Sequence, residues 1–300
     1  MKKKTRLLLG AHMSIAGGLE KAIERGDSIG CTAIQLFTKS NRQWHAKKIT
    51  DEECELFKKT WKDAQHIQDI VDHCSYLINI GAMSKEVEKK SVKSLVLELD
   101  RCERLGIPYL VLHPGSYTGG EEGLCLEQIA ANINITLEEV SGKSEILIET
   151  MAGQGKTVGY SFEQIAAIRK MVHNKHRVGV CVDTCHIFAA GYEFSTPSSY
   201  KNMWQQFDKV IGMRHLKAIH MNDSEKGLGS RVDRHADIGK GKIGLEPFRL
   251  IMNDPALYDI PKILETPKKE LADDVRNLKV LEELMTKRTI KELGEVQDGG

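Results

Sequence analysis

Eight short apolar, β-branched runs return at regular intervals, and this recurrence constrains the fold more than any other feature. They are RLLLGAH (6–12), AIQLFTK (33–39), DIVDH (69–73), YLVLHPG (109–115), EILIET (145–150), VGVCVDT (178–184), LKAIHMND (216–223) and IPKILET (260–266). Polar segments of helical period lie between them, such as EKKSVKSLVLELDRCERLG (88–106) and SFEQIAAIRKMVHNK (161–175). Strands that alternate with helices imply βαβ crossovers and a parallel sheet. Eight such units in 300 residues fit an α/β fold of the (β/α)8 TIM-barrel type. An open doubly wound sheet would carry a nucleotide fingerprint after its first strand, and HMSIAGGLEKA is not one. No linker, low-complexity stretch or repeat interrupts the pattern. The expectation is one barrel domain over residues 1–294, with a tail EVQDGG (295–300) that has little to anchor it and frays.

Strand side chains alternate faces with period two. Val71 and His73 therefore share a face, as do Val111 and His113, Leu147 and Glu149, Cys181 and Asp183, Ala218 and His220, and Ile263 and Glu265. The opposite face carries Leu110 and Leu112, Ile146 and Ile148, Val180 and Val182, which suit packing under helices. Six consecutive strands thus end on an inward His, Asp or Glu, and in a barrel those positions converge on the C-terminal mouth. His186 follows Asp183 by three, and Asp233 and His235 sit in the polar stretch after the seventh strand.

A histidine alone is more often a satisfied structural residue, and His66, His173, His176 and His215 are read that way. His12, at the end of the first strand, is placed behind the others as a supporting group. For the convergent five imidazoles and four carboxylates, burial without a cation would be costly. A mixed His/carboxylate set suits zinc, manganese or iron. Nine ligands are too many for one ion and suit three, with one carboxylate shared. Three divalent ions against four carboxylates leave an excess of positive charge, which favours an anion such as phosphate.

The flanking cysteines of CVDTCH (181–186) lack the spacing of a thiolate site. Cys181 is expected in the packed barrel and Cys185 to point away from the ligands. The seven cysteines are scattered without a Cys-x-x-Cys pair, which suits a reducing, cytoplasmic setting. No run is long enough to span a bilayer, so no membrane partner is expected. A formal charge of +1 gives no global bias towards nucleic acid, though a local basic patch suffices for phosphate contacts. GKGKIG (239–244) follows a polar loop instead of a strand, and AGQGKT (152–157) lacks the first glycine of a phosphate loop. Both are read as turns near the mouth.

With these residues in place, the sequence resembles the endonuclease IV family of apurinic/apyrimidinic endonucleases. The resemblance runs nearly end to end, through GAHMSIAGG (10–18), QLFTKSNRQW (35–44), SYLINIG (75–81), LHPGS (112–116), ETMAGQG (149–155), DTCH (183–186), HMNDS (220–224), DRHADIGKGKIG (233–244) and ETP (265–267). It implies three zinc ions per chain, with manganese in part of the sites. His73, His113 and Glu149 would hold the first, and Glu149, Asp183, His220 and Glu265 the second. His186, Asp233 and His235 would hold the third. The implied reaction is hydrolysis of the phosphodiester 5′ to an abasic site in double-stranded DNA, leaving a 3′-hydroxyl and a 5′-deoxyribose phosphate. Activity on 3′-phosphate and 3′-phosphodiester ends accompanies it. Glu149 would also orient the nucleophile. In the basic loop TKSNRQWHAKK (38–48), Arg42 and Gln43, together with Tyr76, would be pushed into the duplex at the lesion. No obligate protein partner is implied. A metal-dependent sugar isomerase or epimerase on a related barrel is the rival enzyme, and a DNA-binding module with structural metals the rival without catalysis.

Overall fold

The computed structural model describes residues 7–298. In chain order its strands are β1 (Leu9–His12), β2 (Ala33–Leu36), β3 (Asp69–His73), β4 (Tyr109–Leu112), β5 (Glu145–Glu149), β6 (Val178–Asp183), β7 (Leu216–His220), the short pair β8 (Asp223–Ser224) and β9 (His235–Ala236), and β10 (Lys262–Leu264). All but β8 and β9 are parallel and close into a barrel in sequence order, with β10 joining β7 to β1. Each of the eight apolar runs therefore contributes one barrel strand. Most strands stop short of the run's end, for identifiable reasons. After Leu36 the N–H and hydroxyl of Thr38 are taken by the Asp72 carboxylate, at 3.0 and 2.9 Å, which turns the chain out of the sheet. After Leu112 come His113, Pro114, which has no N–H to give, and Gly115 at φ 125°.

The surrounding helices are α1 (Glu20–Ser28), α2 (Asp51–Asp63), α3 (Lys85–Leu105), α4 (Glu122–Glu139), α5 (Phe162–Met171), α6 (Thr184–Ala190), α7 (Pro197–Val210), α8 (Leu245–Met252), α9 (Leu271–Glu283) and α10 (Lys287–Asp298). Their ends follow local chemistry. Thr50 and Glu53 form a reciprocal capping box on α2. Gly106 ends α3 in the left-handed region, where it takes no Cβ penalty. Ser161 caps α5, which closes at Met171 where Val172 turns extended, short of the segment expected from periodicity. Residues 295–298 of the expected frayed tail continue α10, and 299–300 lie outside the described residues. Among the described residues no helix is long and apolar enough to cross a membrane.

Two apolar layers hold the fold. Inside the barrel, Val71, Val111, Leu147, Cys181 and Ala218 form their own buried cluster beneath the mouth. The larger core fills the space between strands and helices and includes Leu110, Leu112, Ile146, Ile148, Val180 and Val182. Inward and outward strand positions are thus separated as the period-two pattern requires. Strand spacing is tight where β1 meets β2: a Cβ at Gly10 would lie 1.7 Å from the Ala33 carbonyl oxygen, so only glycine fits there. In the outer layer, Phe207 is fully buried, with its ring centroid 5.3 Å from Phe162 and 5.5 Å from Trp204. Phe207→Ala should lower unfolding stability by roughly 3–5 kcal/mol, through lost burial and the cavity left behind. Urea unfolding measures it, and a loss under about 1 kcal/mol would mean the site collapses without a cavity.

Candidate metal centre

The rim of the barrel gathers its polar groups because each strand stops at about the same height. His73, Glu149, Asp183 and His220 are the last residues of β3, β5, β6 and β7, while His113 and Glu265 are the first residues beyond β4 and β10. Two residues deeper on the same face lie the apolar side chains that fill the barrel. Strand β6 runs straight into α6, with Asp183 as its N-cap: the carboxylate accepts the His186 N–H at 2.8 Å. The D-x-x-H spacing is therefore a helix start, and it turns His186 back to the mouth. Asp233 and His235 return by another route. The antiparallel pair β8–β9 folds residues 225–234 over the rim, and the Asp233 N–H donates to Gln154 Oε1 at 3.0 Å.

All nine side chains meet. Glu149 is fully buried at the centre, with Oε2 3.2 Å from His73 Nε2 and 3.1 Å from His113 Nε2. Its Oε1 lies 3.0 Å from His220 Nδ1 and 3.3 Å from His186 Nδ1. His220 Nδ1 is also 3.1 Å from Glu265 and 3.8 Å from Asp183. Asp233 lies 3.2 Å from His186 Nε2 and 3.3 Å from His235 Nε2. Potential ligand atoms of His73, His113 and Glu149 fall within 4.8 Å of one another, as do those of Glu149, Asp183, His220 and Glu265. Asp183 with His186 and His235 forms a further such group. His113, Asp233, His235 and Glu265 are half-buried, and with Tyr76 and His186 they line a cleft of about 440 Å³. A cleft of about 700 Å³ at the other end of the barrel is larger but holds none of these groups.

Hydrogen bonds behind the imidazoles determine what each ring presents. A carbonyl oxygen only accepts. His73 Nδ1 therefore donates to the Cys74 carbonyl at 2.7 Å, His186 Nδ1 to that of Thr150 at 2.8 Å, and His235 Nδ1 to that of Glu265 at 3.1 Å. Gln35 donates its amide to Glu265 at 2.6 Å and so turns its oxygen to His220 Nε2 at 2.8 Å. In neutral rings this leaves the Nε2 lone pairs of His73, His186 and His235, and the Nδ1 lone pair of His220, facing carboxylate oxygens. Acceptor meets acceptor, and the contact is relieved by a divalent cation or by a proton added to the ring. His186 Nε2 and His235 Nε2 are buried without a hydrogen-bond partner; both lie close to Asp233 but out of line for an N–H···O bond. This donor set fits divalent metal, with each ring oriented from behind as metal-binding histidines usually are.

Without metal, the same electrostatics appear as displaced protons. Burial by itself would raise Glu149, yet His220 and His113 outweigh it and hold the carboxyl well below the usual range. Asp233 is brought down to about 2, burial opposing and His186 prevailing. Burial would lower His186, but Asp183 and Asp233 push it well above the ordinary histidine value.

The remaining expectations divide. Tyr76 stands over the mouth, its ring centroid 5.5 Å from that of His73 and 5.7 Å from that of His113. Arg42 and Gln43 are exposed on the loop after β2. Lys39 of the same loop is buried and turned inward, out of reach of a phosphate. Cys181 packs in the barrel as expected. Cys185 does not point away: the returning loop brings Asp233 and His235 beside it, with ligand atoms within 4.8 Å. Its thiol donates to the Arg234 carbonyl at 3.6 Å, and burial pushes it up to about 12. GKGKIG is a turn around Asp223, whose carboxylate accepts the N–H groups of Gly239, Gly241 and Ile243.

Gln35 and Asn222 were not singled out from the sequence. Gln35 ties His220, Glu265 and His12 together, and Asn222 holds the Asp183 carboxylate at 2.6 Å while accepting the Glu265 N–H at 2.9 Å. The parity that selected Glu149 also points Gln35 inward. Its amide does not titrate, so a pattern of acids and imidazoles does not include it.

Barrel, rim and donor set define a class. Residues 23–285 match the family of xylose isomerase-like TIM barrels. Within that class, the probable endonuclease 4 of Chloroflexus aurantiacus is 47% identical over 278 residues, covering 92% of this chain and 97% of its own. The crystal structure of endonuclease IV from Thermus thermophilus superposes with a TM-score of 0.81 at 36% identity, over 92% of this chain and 98% of that one. The chain belongs to the endonuclease IV family, and is a hydrolase of the DNA-repair nuclease class. A D-tagatose 3-epimerase-like protein, with a TM-score of 0.69 at 17% identity over 95% of this chain and 98% of its own, shares the fold alone.

Proposed function

We propose that this protein cleaves the phosphodiester 5′ to abasic sites in duplex DNA, using three zinc ions at the rim, with manganese able to replace part of them. The observation that carries the reading is the set of imidazole lone pairs aimed at carboxylates, in a chain of this family. His73, His113 and Glu149 would hold one ion; Glu149, Asp183, His220 and Glu265 a second; His186, Asp233 and His235 a third. Bound divalent ions would supply a water made nucleophilic near neutral pH and positive charge against the phosphate in the transition state.

The chain's own residues do the rest. Glu149, pinned between four imidazoles, has no freedom to turn and so orients whatever binds beside it. The half-buried His113, Asp233, His235 and Glu265 face the cleft, where a scissile phosphate has access. Tyr76 stands over His73 and His113, placed to enter the gap left by a missing base, and Arg42 and Gln43 extend from the adjoining loop. Unstacking costs least where a base is already absent, which favours the lesion over intact DNA. The same open cleft suits 3′-phosphate ends. Seven buried free thiols suit the cytoplasm, where we place the protein.

The test is incubation with a duplex carrying one abasic site, before chelation, after it and after zinc return, with an aldose as control substrate. A 5′ nick leaving a 3′-hydroxyl, lost and then restored, is expected. Aldose turnover without nicking would move the protein to the isomerases. Arg42→Ala with Tyr76→Ala should reduce preference for abasic over intact DNA by roughly tenfold to a hundredfold, the scale of one lost stacking contact. Paired cleavage assays measure that ratio, and an unaltered ratio would reject the insertion of these side chains.

A further inference from the structure

Residues 38–50, between β2 and α2, contain no helix or strand. Side-chain hydrogen bonds to the backbone therefore set the shape of this loop. Lys39 Nζ donates to the Gln43 carbonyl at 2.6 Å and to that of Ser40 at 3.3 Å. Its third interaction is with Glu98 of α3, at 3.2 Å, and both side chains of this pair are buried, at 3% and 1% exposure. Two hydrogens of the ammonium thus go to loop carbonyls, while the Glu98 carboxylate balances its charge. Glu98 in turn accepts the Ser94 hydroxyl at 2.9 Å and, on its other oxygen, the N–H of Ser75 at 2.9 Å. Ser75 precedes Tyr76, and its hydroxyl donates to the Asn41 carbonyl at 2.9 Å. One carboxylate thus reaches the backbone on either side: through Lys39 to Gln43, and through Ser75 to the turn that carries Tyr76.

A buried ion pair is a poor way to gain stability, because an apolar pair of similar volume is often as good or better. What this pair supplies that leucines would not is a fixed distance between two loops. Neither Lys39 nor Glu98 has a hydrogen bond or ion pair to the nine rim residues. We infer that Lys39 and Glu98 are positioning residues that set the separation of the Arg42–Gln43 loop from Tyr76, and through it the selectivity for abasic DNA. This rests on the reading of those three side chains as DNA contacts.

The test compares Lys39→Met, the double variant Lys39→Met with Glu98→Gln, and Lys39→Arg. Lys39→Met alone leaves a buried carboxylate unpaired and should lower the Tm. The double variant removes both charges while its amide still serves Ser75, so it should recover most of that Tm and retain the native metal content. It should nevertheless show KM for the abasic duplex raised about tenfold, preference over intact DNA lowered to match, and kcat within about twofold. Lys39→Arg, which keeps the charge but not the three-way geometry, should shift KM in the same direction. Native KM and native preference in a double variant of native Tm would overturn the inference. If the double variant does not fold, Lys39→Arg decides alone by the same two readouts. Arg42→Ala with Tyr76→Ala is measured beside them. Lost preference there with none lost in the Lys39 variants removes only this inference, whereas preference kept there removes the contact reading itself.

Discussion

Glu149→Gln should lower turnover on abasic DNA by about a thousandfold or more, the scale of losing a buried group that organises transition-state charge, while DNA affinity stays within a few-fold. The side chain is fully buried, and each of its oxygens faces two imidazoles. The amide has nearly the same shape, so the fold should hold. It carries no charge, however, and puts a hydrogen-bearing nitrogen where one pair of imidazoles now meets an acceptor. One of the two ions proposed to share Glu149 would be lost or displaced. The loops proposed to contact DNA, with Arg42, Gln43 and Tyr76, have backbone anchors that do not involve Glu149, so affinity should be spared. Single-turnover nicking and anisotropy of labelled duplex separate the two effects. A variant that nicks within tenfold of the parent would show that Glu149 is a ligand of little consequence.

Removing metal should have the second large effect, and on stability as well as activity. Five imidazoles and four carboxylates share the rim, with lone pairs directed at one another and two ring nitrogens buried without partners. Stripped of cations, the cluster must bind protons or open. A ligand present at a thousand times its Kd stabilises the native state by about 4 kcal/mol. In a domain of this size each kcal/mol moves Tm by about 2–4 °C. Zinc in excess should therefore raise the Tm of chelator-treated protein by on the order of 10 °C or more for even one tight ion. Scanning calorimetry with and without zinc reads it directly. Asp233→Asn, which weakens the more exposed group, should reduce the gain without abolishing it. A shift of a degree or two would mean that protons, not metal, hold the rim together.

How much of this was legible beforehand differs by feature. The eight strands could be read because apolar β-branched runs were separated by helical periods, and the rim could be read because each run ended on an inward acid or imidazole. His186 was found from its spacing to Asp183 alone, without the N-cap geometry that explains the spacing. Strand β2 ends before its apolar run does because the Asp72 carboxylate, distant in sequence, captures Thr38, whereas the end of β4 is marked locally by Pro114 and Gly115. Cys185 was misplaced because its environment comes from a loop that leaves after β7 and returns at Asp233, far from Cys185 along the chain. The burial of Lys39, within a loop that reads only as basic, has the same cause: its partner Glu98 lies on α3, beyond any local pattern.

By itself the sequence determined the barrel, the face on which each strand carries its chemistry and the residues that reach the mouth, because period, parity and spacing are properties of the chain's local geometry. Only the tertiary structure decided which nitrogen each imidazole presents, which polar groups hold the ligands from behind and what anchors the loops. Those outcomes depend on donors and acceptors brought together by folding, and a hydrogen bond between Gln35 and His220, or between Ser75 and Glu98, leaves no periodic trace in the order of residues.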